Sequence, residues 1–404
     1  TLIVGQFLGR DALAAVGSSF TLMTFLTSII LGLCMGSGAL LSMRFGQRDE
    51  RALCENLCAS FFFIALVTVL LNILSFVCLD GLRAFLRVPA EVWGDMREYL
   101  FVIFIGIPAV FLYNYFASFL RAIGNSIIPL GFLAVSAVLN IALDLWFVIG
   151  LNRGVAGTAE ATVIAQYVSG IGIAAYAFMR FPQVRSVWKL CCLRCGRIQE
   201  IVSFSTLTCV QQSIMNLGIL MVQGLVNSFG PVVMAAFAAA VKIDAFAYMP
   251  VQDFGNAFST FIAQNYGAGK NDRVRKGYKA ALWTVGVWGV LISLAFICFP
   301  NAIADIFFHE PKAIETAVGY LVIIGFSEAF MCVELTTVGA LSGLGRTRLC
   351  SIISIAFTSA RIPLSIILGG IMGLDGIWWA ISSTSIVKGI IFTCTFLWIT
   401  RKRR

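Results

Sequence analysis

The chain reads as long apolar stretches cut by short polar ones. An apolar run of about 20 residues crosses the hydrocarbon core of a bilayer as a helix. Such runs fall near 18–43, 54–79, 99–120, 127–150, 155–180, 200–228, 232–264, 278–300, 315–341, 349–372 and 376–399. The pattern predicts eleven full spans. Thr1–Leu8 is too short to cross and reads as the tail of a further helix, so the sequence is expected to start partway through helix 1 of a twelve-helix protein. Barrel strands would alternate in short segments, and these runs do not.

Composition agrees. Of the 404 residues, 59% are hydrophobic and 12% charged, with a mean hydropathy of +0.91, where a soluble domain carries about 25% charge. The basic residues then orient the spans. Loops after 18–43, 99–120, 155–180, 232–264 and 315–341, with the C-terminal tail, hold 20 of the 29. They include Arg44, Arg48, Arg51, Arg121, Arg180, Arg185 and the tail Arg401, Lys402, Arg403, Arg404. The opposite loops hold six: Arg10, Arg83, Arg87, Arg97, Arg153 and Lys312. The split predicts a multi-pass protein of a cytoplasmic membrane with both termini inside. The +9 net charge is then topology rather than a nucleic-acid footprint.

Segments recur at a fixed offset. "GRDALAAVG" from Gly9 resembles "GPVVMAAFA" from Gly230, and "RFGQRDERA" around Gly46 resembles "NYGAGKNDRV" around Gly267. "LRAIGNS" around Gly124 resembles "LSGLGRT" around Gly345, and each of these glycine pairs is 221 residues apart. "GVAG" at 154–157 matches "GLDG" at 373–376. The reading is two tandem six-helix lobes: 1–180 with helix 1 incomplete, a basic amphipathic connector at 181–199, 200–400, and a basic tail at 401–404. An even helix count gives both lobes one orientation about a pseudo-two-fold along the membrane normal, a transporter design with the pathway between the lobes.

"GQFLGRDALAAVG" at 5–17 and "AAVKIDAFAYMPVQDFGNAFSTFIAQNYGAGK" at 239–270 resemble the multidrug and toxic compound extrusion (MATE) family, closest to bacterial members, and the likeness covers essentially the whole chain. It implies an antiporter that expels amphipathic organic cations against inflowing sodium ions or protons, by alternating access. It implies no cofactor beyond that ion, and each chain holding its own pathway implies a working monomer.

Two polar residues interrupt "LNIALDLWFVIG" at 139–150: Asn140 and Asp144. Four apart, they share one helix face. Asp144 falls about 9 Å below the outer end of its span and Thr162 about 10 Å down the next, so the hairpin can gather all three at one depth. A carboxylate, an amide carbonyl and a hydroxyl are hard oxygen ligands that suit sodium, with Asp144 as the metal ligand. The carboxylate alone suits a proton. Inserting it costs about 2.5–3.5 kcal/mol, which loading an ion relieves. The resemblance implies that these three match the family's cation-coupling site, with a further acid in helix 1 upstream of Thr1. The competing reading is an Asp–Asn pair that merely glues helices.

At offset 221 Asn140 becomes Arg361 and Asp144 becomes Ser365, so the second lobe does not repeat the cluster. Its polar set is Gln212, Asn216, Lys242, Asp244, Asp253, Asn256, Glu328 and Glu334, a candidate drug or second cation site. Within it Lys242 and Asp244 could neutralise each other. Asp253 follows Pro250, which bends its helix.

Other signals carry less. Cys192-x-x-Cys195 lacks a second pair, and the single histidine, His309, lies in an outer loop, which excludes a zinc site. "GAGK" at 267–270 lacks the upstream glycine and the following Ser/Thr of a phosphate loop. An enzyme would need a nucleophile beside a base, and none is visible. A flippase for lipid-linked oligosaccharides, from the same superfamily, stays open as the alternative; it would favour a cationic cavity.

Overall fold

The computed structural model describes residues 9–81, 90–186, 195–227, 229, 231–307 and 311–401. Every regular element among them is helical. In chain order these are α1 (Gly9–Gly46), α2 (Glu50–Val77), α3 (Ala90–Ile105), α4 (Ile107–Ala122), α5 (Ile127–Leu145), α6 (Gly154–Arg180) and α7 (Pro182–Ser186). Then follow α8 (Cys195–Asn227), α9 (Pro231–Gly267), α10 (Asn271–Cys298), α11 (Pro300–Phe307), α12 (Pro311–Gly343), α13 (Thr347–Met372) and α14 (Leu374–Arg401). Proline opens α7, α9, α11 and α12, where its missing N–H costs nothing. Asp49 caps α2 by accepting from the Ala52 N–H at 3.0 Å.

Among the described residues, eight helices are long and apolar enough to cross a membrane, or nine if α3 and α4 form one broken span. Their outward faces are apolar: Leu130, Leu133, Val138 and Ile141 of α5 are all exposed, as a lipid-facing surface requires.

The chain divides into two compact units, residues 1–45 with 49–209, and 46–48 with 210–404. The boundary between them falls inside α8. Of the connector at 181–199, α7 and the start of α8 are helical, and Cys191 and Cys192 lie outside the described residues. So do Thr1–Leu8 and His309.

The repeat returns as geometry. Left-handed backbone occurs at Arg48 (φ 58°) and Gly269 (φ 71°), and at Gly124 (φ 90°) and Gly345 (φ 74°), each pair 221 residues apart. Gly154 (φ 59°) and Gly373 (φ 65°) repeat it at "GVAG" and "GLDG". The same closing bonds accompany the helix ends: Asp49 N–H to Arg44 O and Lys270 N–H to Asn265 O, Asn125 N–H to Leu120 O and Arg346 N–H to Leu341 O. These bonds satisfy carbonyls orphaned at a helix end.

Two expectations change. The span near 18–43 belongs to a helix that begins at Gly9. The span near 99–120 is broken between α3 and α4, with a bend of 43°. Pro108 is the cause: it has no N–H to give the Phe104 carbonyl four residues back. Asn72 Nδ2 of α2 donates to that oxygen instead at 2.7 Å, and the Tyr167 hydroxyl of α6 donates to Ile105 O at 2.9 Å. At the corner, a Cβ on Gly106 would stand 2.5 Å from Gln166 Oε1 and 3.1 Å from both Ile103 O and Val163 Cγ2, so a larger residue there would displace the glutamine.

Candidate functional site

In the first unit α5 and α6 pack together and carry the three predicted ligands. The Thr162 hydroxyl donates to Thr158 O at 2.9 Å, so its oxygen is left to accept. Asn140 Nδ2 donates to it at 3.2 Å. That assigns the amide: Oδ1 points away from Thr162 as a free acceptor. Asp144 is half-buried, one turn further along α5, and its Oδ1 is buried with no donor among the described residues. The structure therefore joins Asn140 to Thr162 directly and sets Asp144 on the same helix face without a bond to either. Tyr99 of α3, not anticipated from sequence, lies close enough to feel the carboxylate's charge.

Directly after Asp144 the helix widens into a π-turn, Trp146–Gly150, in which Leu151 N–H reaches back to Trp146 O at 3.0 Å. Such turns concentrate at functional sites. Arg153, in the short link to α6, pairs with Glu160. The Asn140 carbonyl, the Thr162 oxygen and the Asp144 carboxylate supply the hard donors a sodium ion takes, and Asp144 alone can take a proton. No group of three His, Cys, Asp or Glu side chains suited to a metal occurs among the described residues.

The second unit gathers only part of its predicted set. Asp244 of α9 and Glu328 of α12 are 8% and 0% exposed, and their carboxyls face each other. The Tyr320 hydroxyl donates to Asp244 Oδ2 at 3.2 Å, and Tyr248 lies within reach of both charges. Asp244 Oδ1 and both Glu328 oxygens meet no donor among the described groups. A hydrogen bond between the two acids therefore needs a proton carried by one of them. Two like charges this deep repel, and one shared proton would remove that cost.

Lys242 does not neutralise Asp244. It is exposed and forms no ion pair among the described residues. Glu334 is not free either, because Lys388 of α14 holds it at 2.6 Å. Arg361 donates to Thr384 Oγ1 at 2.9 Å and Ser385 Oγ at 3.1 Å. Gln212, Asn216 and Asn256 are half-buried and Asp253 exposed; none bonds to the acid pair among the described residues. Lys388 and Tyr320 were missed as partners. A lysine inside the apolar run 376–399 was the available signal.

The described residues form an all-helical, multi-pass membrane protein with carboxylates inside its spans, and such costly groups mark a functional site. The MatE family model matches residues 1–146 and 208–367, and the chain belongs to that family. It is 26% identical to the "Probable multidrug resistance protein YoeA" of Bacillus subtilis (strain 168), over all of this chain and 89% of that protein. It is 26% identical to the "Multidrug export protein MepA" of Staphylococcus aureus (strain MSSA476), over 90% of this chain and 81% of that one. Its fold is that of the Vibrio cholerae MATE transporter VcmN in the bent form, with a TM-score of 0.89 at 22% identity over 99% and 91% of the two chains. A MOP superfamily transporter of Pyrococcus furiosus, described as having reversed binding-pocket polarity and a different function, gives 0.89 at 20% identity over 100% and 90%.

Proposed function

We propose that the protein is a secondary antiporter that exports amphipathic organic cations in exchange for sodium ions or protons, by alternating access, across a bacterial cytoplasmic membrane. It works as a monomer, with both termini inside and no cofactor beyond the coupling ion. The multidrug names of its relatives support the substrate class. The observation that carries the coupling role is the buried Asp144 Oδ1, which has no donor among the described residues, one turn from the Asn140–Thr162 bond. A carboxylate kept only for helix glue would be bonded, whereas one kept for an ion must stay open to it. The flippase reading finds no support in the relatives.

The test is ethidium efflux from cells expressing wild type or Asp144→Asn at equal level, with sodium and proton gradients imposed separately. Efflux that follows one gradient and vanishes in the variant identifies both the coupling residue and the ion. Normal pumping by Asp144→Asn would sink the assignment and pass the question to Glu328→Gln, at the one other unpaired acid cluster described above.

A further inference from the structure

A groove of about 400 Å³ opens on the flank of the first unit. Its walls are Phe61 and Phe62 of α2, Tyr115 and Phe116 of α4, and Ala175 and Phe178 of α6. Phe62, Ala175 and Phe178 are exposed, so the groove opens sideways, toward lipid. Its tyrosine brings no polarity, because the Tyr115 hydroxyl is spent on Leu57 O at 2.6 Å and on Ser60.

One end of the groove is floored by Val184 of α7. Two exposed arginines adjoin lining residues along the chain: Arg180, two residues beyond Phe178, and Arg185, next to Val184. Arg185 donates to Met179 O at 2.9 Å. Neither arginine has an acidic partner among the described residues, while nearby Arg51 is already taken by Glu55. The positive-inside pattern puts this end at the inner leaflet.

We propose that this groove is a binding site for an anionic phospholipid of the inner leaflet, with an acyl chain between the aromatic walls and the phosphate between Arg180 and Arg185. Charge decides the occupant. An organic cation would fit the aromatic walls equally well, but two guanidinium groups with no acidic partner among the described residues repel it and attract a phosphate. The proposal is independent of which residue couples transport.

The experiment is native mass spectrometry of the purified protein released from detergent, with phosphatidylglycerol and phosphatidylcholine added at equal concentration. The expected result is one phosphatidylglycerol retained in preference to phosphatidylcholine. Arg180→Gln and Arg185→Gln should each weaken that retention about fivefold. Ala175→Trp, at an exposed position, should fill the groove and abolish retention with an unchanged melting temperature. Equal retention of the two lipids would overturn the proposal, and so would retention that survives Ala175→Trp. Ethidium binding that is lost in Ala175→Trp but unaffected by both arginine variants would make the groove a drug entry instead.

Discussion

Lys388→Met tests the polar interior of the second unit most directly. Lys388 Nζ lies 2.6 Å from Glu334 Oε1, with the two side chains only 6% and 7% exposed, so the bond ties α14 to α12 out of water's reach. Removing one member of a buried pair strands the other charge and costs about 3–5 kcal/mol. Arg361 moderates this. It already acts electrostatically on Glu334, but swinging across would break its bonds to Thr384 and Ser385, at about 1 kcal/mol each. The expected loss is therefore about 3 kcal/mol, at the lower edge of the range. In Lys388→Met/Glu334→Leu both charges are gone, and stability should return to within about 1 kcal/mol of wild type. Unfolding in one detergent at pH 7, run as a double-mutant cycle, should give a coupling energy above about 2 kcal/mol. A Lys388→Met protein as stable as wild type, or a double variant as damaged as the single, would refute the argument that the pair is closed to solvent.

Asn72→Ala should cost about 1–3 kcal/mol in the same unfolding assay, because the Phe104 carbonyl loses its replacement donor; a melting curve like wild type would mean water reaches the break. Asp80, outside the spans, accepts a hydrogen bond from Arg97 Nε at 2.8 Å, and that bond, with the arginine's charge, holds its carboxyl below the usual carboxylate range. Its contribution to stability is therefore present above the unfolded pKa of about 3.9 and lost as pH falls through the lowered value. Melting curves from pH 7 to pH 3 should show a small acid-side loss that is missing in Asp80→Asn, and parallel curves would show that the pair is energetically silent.

The helical architecture, the repeat and the Asn140–Thr162 contact were legible because each is local or periodic. Hydropathy needs one window, the offset needs one comparison, and Asn140, Asp144 and Thr162 sit on a hairpin of neighbouring helices. Gly124 and Gly345 were legible as a repeated pair, and their left-handed backbone supplies the physical reason for glycine there. Partnerships across the second unit were not legible. Asp244 meets Glu328, and Lys388 meets Glu334, only after helices far apart in sequence pack, and nothing in a single sequence says which of Lys242 and Lys388 turns inward. The break at Gly106–Pro108 carried a visible signal, but an average over 20 apolar residues is blind to one missing N–H.

That break has a mechanical consequence. A proline corner with idle carbonyls is soft, because bending it further exposes nothing new. Here each flanking carbonyl is gripped from a different side, by Asn72 on α2 and by Tyr167 on α6. Flexing the elbow in either direction must pull a polar group out of a medium with no water to replace it. The angle between α3 and α4 is thus a braced joint in a truss, stiff because three members share it. Force applied to one arm of the broken span is passed to the other through the corner, where Gly106 sits against Val163 and Gln166 of α6.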